Sequence, residues 1–448
     1  MEAALLGDLA PAPHVVSARR TWIAVLLDLL ICCTWCFWPS ALRKPTVAKL
    51  RAFAGFPRLL DPFEDRDAFD LLYERQLALA RDGSYGYHRL SRLGLFVVAV
   101  SALLNIRIRK DLAKAPPVAA SRGSSRVHRT RVFIGGPFRT GTTLLQRLLS
   151  VNKRCKSFSL REFKNPIEPG RQPIQGLLRI TRWLAPHLLS IHPMAIDEPD
   201  ECIFLLHTSV PLMGLFPVAS AVSEWHAELL PHMPAVYECY SDGLERMAGL
   251  YASHEESHLI LKCPVHGYFI DALHASAIRH VPGTEGGEAA TAQRCDEPYC
   301  MLRTFRRDLA KVAGSLASLL RAMHDAICTR VDLAAIEEAA VHSVVMQVGQ
   351  LRRTNELASA DRRVQVVDVD FDDLVQRPAA TLQAICERLG LPFDAQATAD
   401  VIAQAERTRK QKDRYASYHS WTLSPRSLER LKACEAEMAS LYVPILVS

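Results

Sequence analysis

The stretch RVFIGGPFRTGTTLLQRLL, which runs from Arg131 to Leu149, decides the fold of this chain. It begins with an apolar run typical of a strand, passes through a glycine-rich turn, and continues with leucines at helical spacing. A strand, a glycine-rich loop and a helix N-terminus in this order form a phosphate-binding unit, because the loop amides and the helix dipole both favour an anion. The stretch therefore predicts a phosphate site at its centre.

The glycine spacing is that of the Walker pattern G-x-x-x-x-G-K-[ST], with Gly136 and Gly141 as the two glycines and Thr143 as the final hydroxyl. Thr142 stands where that pattern has its lysine, the residue that reaches the β- and γ-phosphates of a nucleoside triphosphate. Arg139 supplies a cation inside the loop. The pattern argues against triphosphate chemistry and indicates a terminal phosphate or a phosphosulfate.

The segment R-T-G-T-T after a strand resembles the 5'-phosphosulfate loop of the sulfotransferases that use 3'-phosphoadenosine 5'-phosphosulfate (PAPS). The resemblance covers roughly residues 131–422. It implies that PAPS is the cofactor and that its phosphosulfate is held by the loop residues Arg139, Thr140, Gly141, Thr142 and Thr143.

A second segment, FRRDLAKVAGSLASLL, resembles the 3'-phosphate motif of the same family. In that motif an arginine at a strand end and a serine on the following helix bind the ribose 3'-phosphate, which implies this role for Arg307 and Ser315. An arginine offers a bidentate fork to a phosphate, which suits the role chemically. The family usually has proline two positions after the arginine, where this chain has Leu309.

Two further segments carry candidate catalytic residues. LKCPVHGYFIDAL resembles the L-K-x-P-x-H segment of the family and places Lys262 at the end of a buried strand, where ligands bind in open α/β sheets. Lys262 would neutralise the bridging oxygen as the S–O bond breaks. The base that activates the acceptor is either His266 or Glu162, whose position in LREF loosely matches a family glutamate. The alternatives are a structural histidine and a solvated glutamate.

Strand-type and helix-type segments alternate along the rest of the chain, which predicts an α/β, P-loop-like, three-layer fold with a central parallel sheet flanked by helices. Residues 129–448 are expected to form the catalytic domain, and residues 1–128 a helical, hydrophobic N-terminal extension. The clearest patterns predict strands over 258–263, 301–305 and 364–371, and helices over 235–253, 309–324, 333–358 and 378–389.

Within the extension, residues 21–38 read TWIAVLLDLLICCTWCFW, an apolar run broken by Asp28. Eighteen residues are just enough to span a bilayer, although a carboxylate near the centre is costly there. The run is interpreted as a single membrane anchor, which would make the protein membrane-associated rather than cytoplasmic. A buried or interfacial helix is the alternative.

The composition of the chain limits the classes of partner and cofactor that it can bind. The 448 residues carry a formal net charge of +6, and the basic residues are spread along the chain, which suits an anionic cofactor and argues against nucleic acid. The twelve cysteines form no metal pattern, so no metal is expected. Cys295 and Cys300 would form a local disulfide in an oxidising lumen and remain thiols in the cytosol. The H-E-x-x-H pattern from His254 to His258 is not expected to bind zinc, because a helix ends just before it and a strand follows it.

These patterns predict a sulfotransferase that moves a sulfuryl group from PAPS to an acceptor hydroxyl or amine on a small molecule, lipid or glycan. One alternative is a P-loop kinase or NTPase. Another is a membrane-attached member of the fold without catalysis. The acceptor's identity and the oligomeric state are left open.

Overall fold

The computed structural model describes the following residues: 15–17, 22–34, 46–53, 74, 77, 84–85, 88–115, 130–167, 178–179, 182–191, 194–209, 226, 229–253, 257–277, 298–306, 308–413, 421–443 and 445. Arg307 and Cys295 lie outside this set.

The strands are β1 (Val15–Ser17), β2 (Ser84–Tyr85), β3 (His88–Leu90), β4 (Thr130–Gly135), β5 (Cys155–Lys156), β6 (His258–Lys262), β7 (Tyr299–Phe305), β8 (Cys328–Asp332) and β9 (Val364–Asp370). The helices are α1 (Trp22–Thr34), α2 (Val47–Phe53), α3 (Arg92–Lys114), α4 (Thr142–Leu149), α5 (Leu160–Lys164), α6 (Pro186–Ile191), α7 (Ile203–Leu206), α8 (Met233–Tyr251), α9 (Ile270–Ala277), α10 (Leu309–Ile327), α11 (Leu333–Ala360), α12 (Phe371–Gln376), α13 (Pro378–Leu389), α14 (Ala395–Asp413) and α15 (Pro425–Leu441). Short 3₁₀ turns cover Leu230–His232 and Pro264–Tyr268.

The central sheet has the order β5-β6-β4-β7-β9, and every neighbouring pair in it is parallel. Strand β4 lies in the middle, with Ile134 opposite Lys262 of β6 and Gly135 opposite Arg303 of β7. Parallel strands end at one edge of a sheet, so the loop after β4, the lysine that ends β6 and the start of α10 share that edge.

Helices cover both faces of this sheet, and alternate residues of each strand pack against one layer or the other. Phe133 packs among side chains of α8 and α9, whereas Val132 and Ile134 pack among those of α4 and α13. The inner strands β4 and β6 are largely buried on both faces, which explains the apolar runs 132–134 and 259–261 in the sequence. The layers confirm the predicted α/β fold.

A buried ion pair joins two strands of the sheet. Arg303 of β7 donates from Nε and Nη2 to the two carboxylate oxygens of Asp368 of β9, at 2.7 and 2.9 Å, and both side chains are 3 % exposed. Arg303 also donates to the Leu351 carbonyl at 3.1 Å, and Asp368 accepts from the Val443 amide at 2.9 Å. The pair therefore connects the sheet to α11 and to the end of the chain.

A second, antiparallel sheet of order β1-β8-β3-β2 joins the N-terminal residues to β8, which lies between α10 and α11. Ser91 caps α3 by accepting from the Gly94 amide, and its own hydroxyl donates to the Ile327 carbonyl at 3.0 Å. The expected division at residues 128 and 129 stays a prediction, since residues 116–129 lie outside the described set.

The apolar run over 21–38 forms α1 over Trp22–Thr34, and residues 35–38 are not described. Within the described part of the chain, no helix has the length and apolar character needed to cross a bilayer.

Cys300 is a buried free thiol in β7. His258 begins β6, seven residues beyond the end of α8 at Tyr251, so it does not lie on a helix as the zinc-protease pattern requires.

Candidate active site

The loop between β4 and α4 has three residues with positive φ: Gly136 at 113°, Arg139 at 67° and Gly141 at 92°. Glycine adopts such angles without steric cost, whereas Arg139 holds a strained conformation of the kind that clusters at functional sites. The two glycines are also required by space. A Cβ on Gly136 would lie 2.4 Å from the Thr304 carbonyl oxygen, and one on Gly141 would lie 2.8 Å from the Phe371 ring.

Hydrogen bonds from neighbouring elements fix the loop. The Thr140 hydroxyl donates to the Pro137 carbonyl at 2.6 Å and lies 2.7 Å from the Thr304 hydroxyl, and both threonines are fully buried. Gln347 of α11 accepts from the Phe138 amide at 2.9 Å. The Thr140 side chain thus holds the loop to β7.

The helix that follows the loop begins without a side-chain cap. Gly141 is its N-cap residue, and Thr142 and Thr143 form its first two positions, with Thr142 buried and Thr143 partly buried. The first amides of a helix have no intrahelical partner, and the dipole places partial positive charge there. This helix start can therefore receive an anion.

The structure brings the first phosphate motif into contact with the second. Arg139 Nε donates to Ser315 Oγ of α10 at 3.0 Å, and Arg139 Nη2 donates to the Ile191 carbonyl at 3.2 Å. Arg307 lies outside the described residues, but its neighbour Arg306 follows β7 and stacks its guanidinium 4.9 Å from the Phe371 ring centroid. Residues that are far apart in sequence thus meet at one edge of the sheet.

Lys262 is 2 % exposed and forms an ion pair with Glu201. The backbone places the two side by side, because the amide of Cys202 donates to the Lys262 carbonyl at 3.0 Å. Glu201 was not among the sequence candidates. Its segment, DEPDE, holds four acids in five positions, and nothing in that spacing singles out one of them.

His266 is 1 % exposed, and both of its ring nitrogens have partners. Nδ1 lies 2.8 Å from the Tyr237 hydroxyl, and Nε2 lies 3.3 Å from Cys202 Sγ. Burial raises the pKa of Tyr237 well above its usual value, so the phenol keeps its proton, and the tautomer of the ring decides which of the two groups donates. The ring also packs edge-on against Phe133.

Glu162 lies at the third position of α5 and forms a capping box with Ser159. Its Oε1 accepts from Lys156 Nζ at 2.7 Å, and its Oε2 accepts from the Ser159 amide at 2.7 Å. The sequence SLRE, a serine followed three positions later by glutamate, is the ordinary signature of this cap.

Charges near Lys262 have displaced pKa values. Burial, and next the Glu201 carboxylate, raise the pKa of Asp200 to about 6, and burial lowers the pKa of Lys164 to about 8. The Asp200 carbonyl accepts from Gln146 of α4 at 2.9 Å, which ties this segment to the phosphate-loop helix. Of the residues that the structure describes, no three His, Cys, Asp or Glu side chains are grouped to hold a metal ion.

Comparison with solved structures shows the same fold in two bacterial enzymes. Sulfotransferase STF9 from Mycobacterium avium superposes with a TM-score of 0.59 and 17 % identity, covering 88 % of this chain and 95 % of that one. Sulfotransferase STF1 from Mycobacterium tuberculosis H37Rv gives a TM-score of 0.52 and 19 % identity, covering 83 % and 99 %. No curated protein matches the sequence significantly.

The family model described as "Sulfotransferase family" matches residues 131–277 and 303–395, more than half of the chain. The matched ranges contain the phosphate loop, Lys262 and Ser315. With this sequence match and the shared fold, the chain belongs to the sulfotransferase family.

Proposed function

We propose that the protein transfers a sulfuryl group from PAPS to a hydroxyl or amine of a small molecule, lipid or glycan. The observation that supports this most directly is the 3.0 Å hydrogen bond between Arg139 Nε and Ser315 Oγ. PAPS carries its phosphosulfate and its 3'-phosphate on one ribose, so the groups that hold them must lie close together. The contact joins the two motifs in that way.

The residues at the site fit this cofactor. The start of α4 offers backbone amides, Thr143 a hydroxyl, and Arg139 a cation for the 5' side. Ser315 and Arg307 are assigned to the 3'-phosphate. When bound, PAPS supplies an activated sulfuryl group, and the chain supplies position and positive charge.

Lys262 is assigned to the leaving group, because its ammonium ends the strand next to the phosphate loop. A buried cation at that point stabilises negative charge more strongly than one in water. In the structure, the Lys262 ammonium is paired with the Glu201 carboxylate. We expect this ion pair to orient Lys262.

Of the two candidate bases, we propose Glu162. His266 is almost fully buried, and both of its ring nitrogens lie within hydrogen-bond distance of protein side chains, so neither is open to an acceptor. Oε2 of Glu162 accepts from both the amide and the hydroxyl of Ser159, whereas Oε1 accepts from Lys156 Nζ and keeps a second lone-pair direction for a proton. His266 then has a packing role.

Titration calorimetry with 3'-phosphoadenosine 5'-phosphate (PAP), the desulfonated cofactor, tests the cofactor assignment. We expect wild type to bind, and Arg139→Ala and Ser315→Ala to bind about ten- to hundredfold more weakly, since a hydrogen bond to a charged group is lost. The matched control is Arg352→Ala, which removes an exposed arginine from α11. Absent PAP binding, or equal affinity in all four proteins, would refute the assignment.

Sulfate transfer from labelled PAPS to an acceptor panel tests the reaction itself. Glu162→Gln is the informative variant, because glutamine also completes a capping box but carries no charge. We expect turnover to fall about a hundredfold or more, while PAP still binds and the melting temperature falls only by the loss of the Lys156 ion pair. Turnover that survives in Glu162→Gln would exclude this base. Tighter binding of Mg-ATP than of PAP would instead favour a kinase or NTPase, and PAP binding with no transfer would favour a non-catalytic member.

A further inference from the structure

One face of helix α1 packs against the rest of the protein. Ala24 and Ile31 are buried against Leu93 of α3. The Asp28 carboxylate accepts from the Leu93 amide at 2.7 Å, one of the amides at the start of α3 that lack an intrahelical partner. The residue that interrupts the apolar run in the sequence therefore points toward α3 and contributes to its cap.

The opposite face of α1 is apolar and open to solvent. Val25, Leu26, Leu29 and Leu30 are between 43 and 58 % exposed, and their spacing places them on one side of the helix. We call these four residues the apolar stripe. Trp183 is 61 % exposed, and the adjoining Leu184 packs on the same Ala24–Ile31–Leu93 cluster, so a second exposed apolar side chain lies close to α1.

The rest of the exposed large apolar side chains in the described ranges are distributed over separate elements, as on ordinary soluble surfaces. Val375 lies on α12, Ile402 on α14 and Leu428 on α15. A contiguous apolar surface of this kind marks an interaction site.

Charge identifies the partner. From residue 9 to residue 60 the sequence has Asp28 as its single acid, against seven lysines and arginines. Since Asp28 is turned toward α3, no carboxylate from this part of the chain opposes an anionic surface. Arg182, next to Trp183, is exposed as well. An apolar stripe within basic sequence matches the boundary of an anionic bilayer, which offers acyl chains and negative headgroups together.

We propose that α1 lies flat on the surface of an anionic membrane, with the apolar stripe at the acyl boundary, and that the basic sequence on either side of it adds electrostatic attraction. The helix lies in the membrane plane because its inner face stays packed on α3. Trp183 adds an amphipathic ring of the kind enriched at such interfaces. This surface is independent of the PAPS site, so the proposal does not depend on the acceptor or on catalysis.

Vesicle co-sedimentation of the full chain tests the proposal. The two probes are phosphatidylcholine vesicles and vesicles that also contain about 30 % phosphatidylserine. We expect wild type to pellet with the anionic vesicles and to be released by high salt. The affinity of Leu26→Gln/Leu29→Gln for these vesicles should be at least about tenfold lower, because two inserted side chains are lost. The matched control, Val375→Gln/Ile402→Gln, makes the same change at exposed positions elsewhere and should bind as wild type does.

A second variant, Arg19→Gln/Arg20→Gln, leaves the stripe intact and should weaken binding several-fold through charge alone. Failure of wild type to bind anionic vesicles would overturn the proposal, as would equal binding by both test variants and the control. Sedimentation velocity tests the competing explanation, in which the stripe is covered by a second copy of the chain. A wild-type dimer that Leu26→Gln/Leu29→Gln dissociates, without vesicle binding, would assign the stripe to a second copy of the chain.

Discussion

Replacing Gly136 by alanine is expected to displace the phosphate loop without changing any charge. The residue has a φ of 113°, and an added Cβ would lie 2.4 Å from the Thr304 carbonyl oxygen. Since real Cβ atoms essentially never approach closer than 3.0 Å, the loop and β7 must separate by at least 0.6 Å. The contacted atom is a backbone oxygen of β7, which lies between β4 and β9 in the sheet. The loop is therefore the part that moves.

Two costs follow from this geometry. A left-handed backbone costs a non-glycine residue about 1–2 kcal/mol, and the clash adds to it, so we expect an unfolding free energy lower by about 2–4 kcal/mol. Binding sites need their groups placed to within about 0.5 Å, so the affinity for PAP should fall about tenfold or more. The second effect requires the loop to hold the cofactor.

The matched control is Gly390→Ala. Gly390 has a φ of 65° and no heavy atom within 4 Å of the position that a Cβ would take. It shares the backbone cost and lacks the clash, so it should lose about 1 kcal/mol and bind PAP as wild type does. Urea unfolding and calorimetry measure the two quantities. The reasoning is refuted if Gly136→Ala matches Gly390→Ala in both.

Three further predictions concern buried polar groups. Asp368→Asn leaves the Arg303 guanidinium buried without its counter-charge, so urea unfolding should show a loss of about 3–5 kcal/mol; a loss below about 1 kcal/mol would contradict this. Gln347→Leu removes two buried hydrogen bonds, one from the Phe138 amide and one to the Pro264 carbonyl, so we expect a loss of about 1–3 kcal/mol, and unchanged stability would argue that neither hydrogen bond matters. Because the pKa of Asp200 is raised to about 6, the folded chain keeps its proton to higher pH than the unfolded chain, and stability should fall as pH rises from about 4 to about 6. Asp200→Asn should remove that fall and be the more stable protein above pH 6 in a series of unfolding curves, whereas parallel curves for the two proteins would exclude it.

Local rules account for the elements that the sequence predicted well. Helix α13 spans Pro378–Leu389, the same bounds as predicted, because proline suits a first turn and Gly390 adopts the left-handed conformation that ends it. Strands β6 and β9 end within one residue of their predicted bounds, since β6 is buried along its whole length and β9 alternates apolar and polar residues. The phosphate loop was predictable because its conformation depends on its own glycines.

Long-range contacts account for what the sequence did not reveal. Glu201 and Lys262 pair across 61 positions, and no spacing rule connects them. The burial of His266 depends on Tyr237 and Cys202, which come from separate elements. Strand β8 was missed as well, because CTRVD is short and partly polar and is a strand through its partners.

The small antiparallel sheet has a consequence for the order of folding. Val15 of β1 pairs with Asp332 of β8, 317 positions later. At a synthesis rate of roughly 5–20 residues per second, β1 waits about 15–60 s before β8 exists. A nascent chain stalled before Cys328 lacks the strand that lies between β1 and β3. The first of the described strands to leave the ribosome therefore waits long for its partner, and its protection from hydrogen exchange would report that synthesis has passed Asp332.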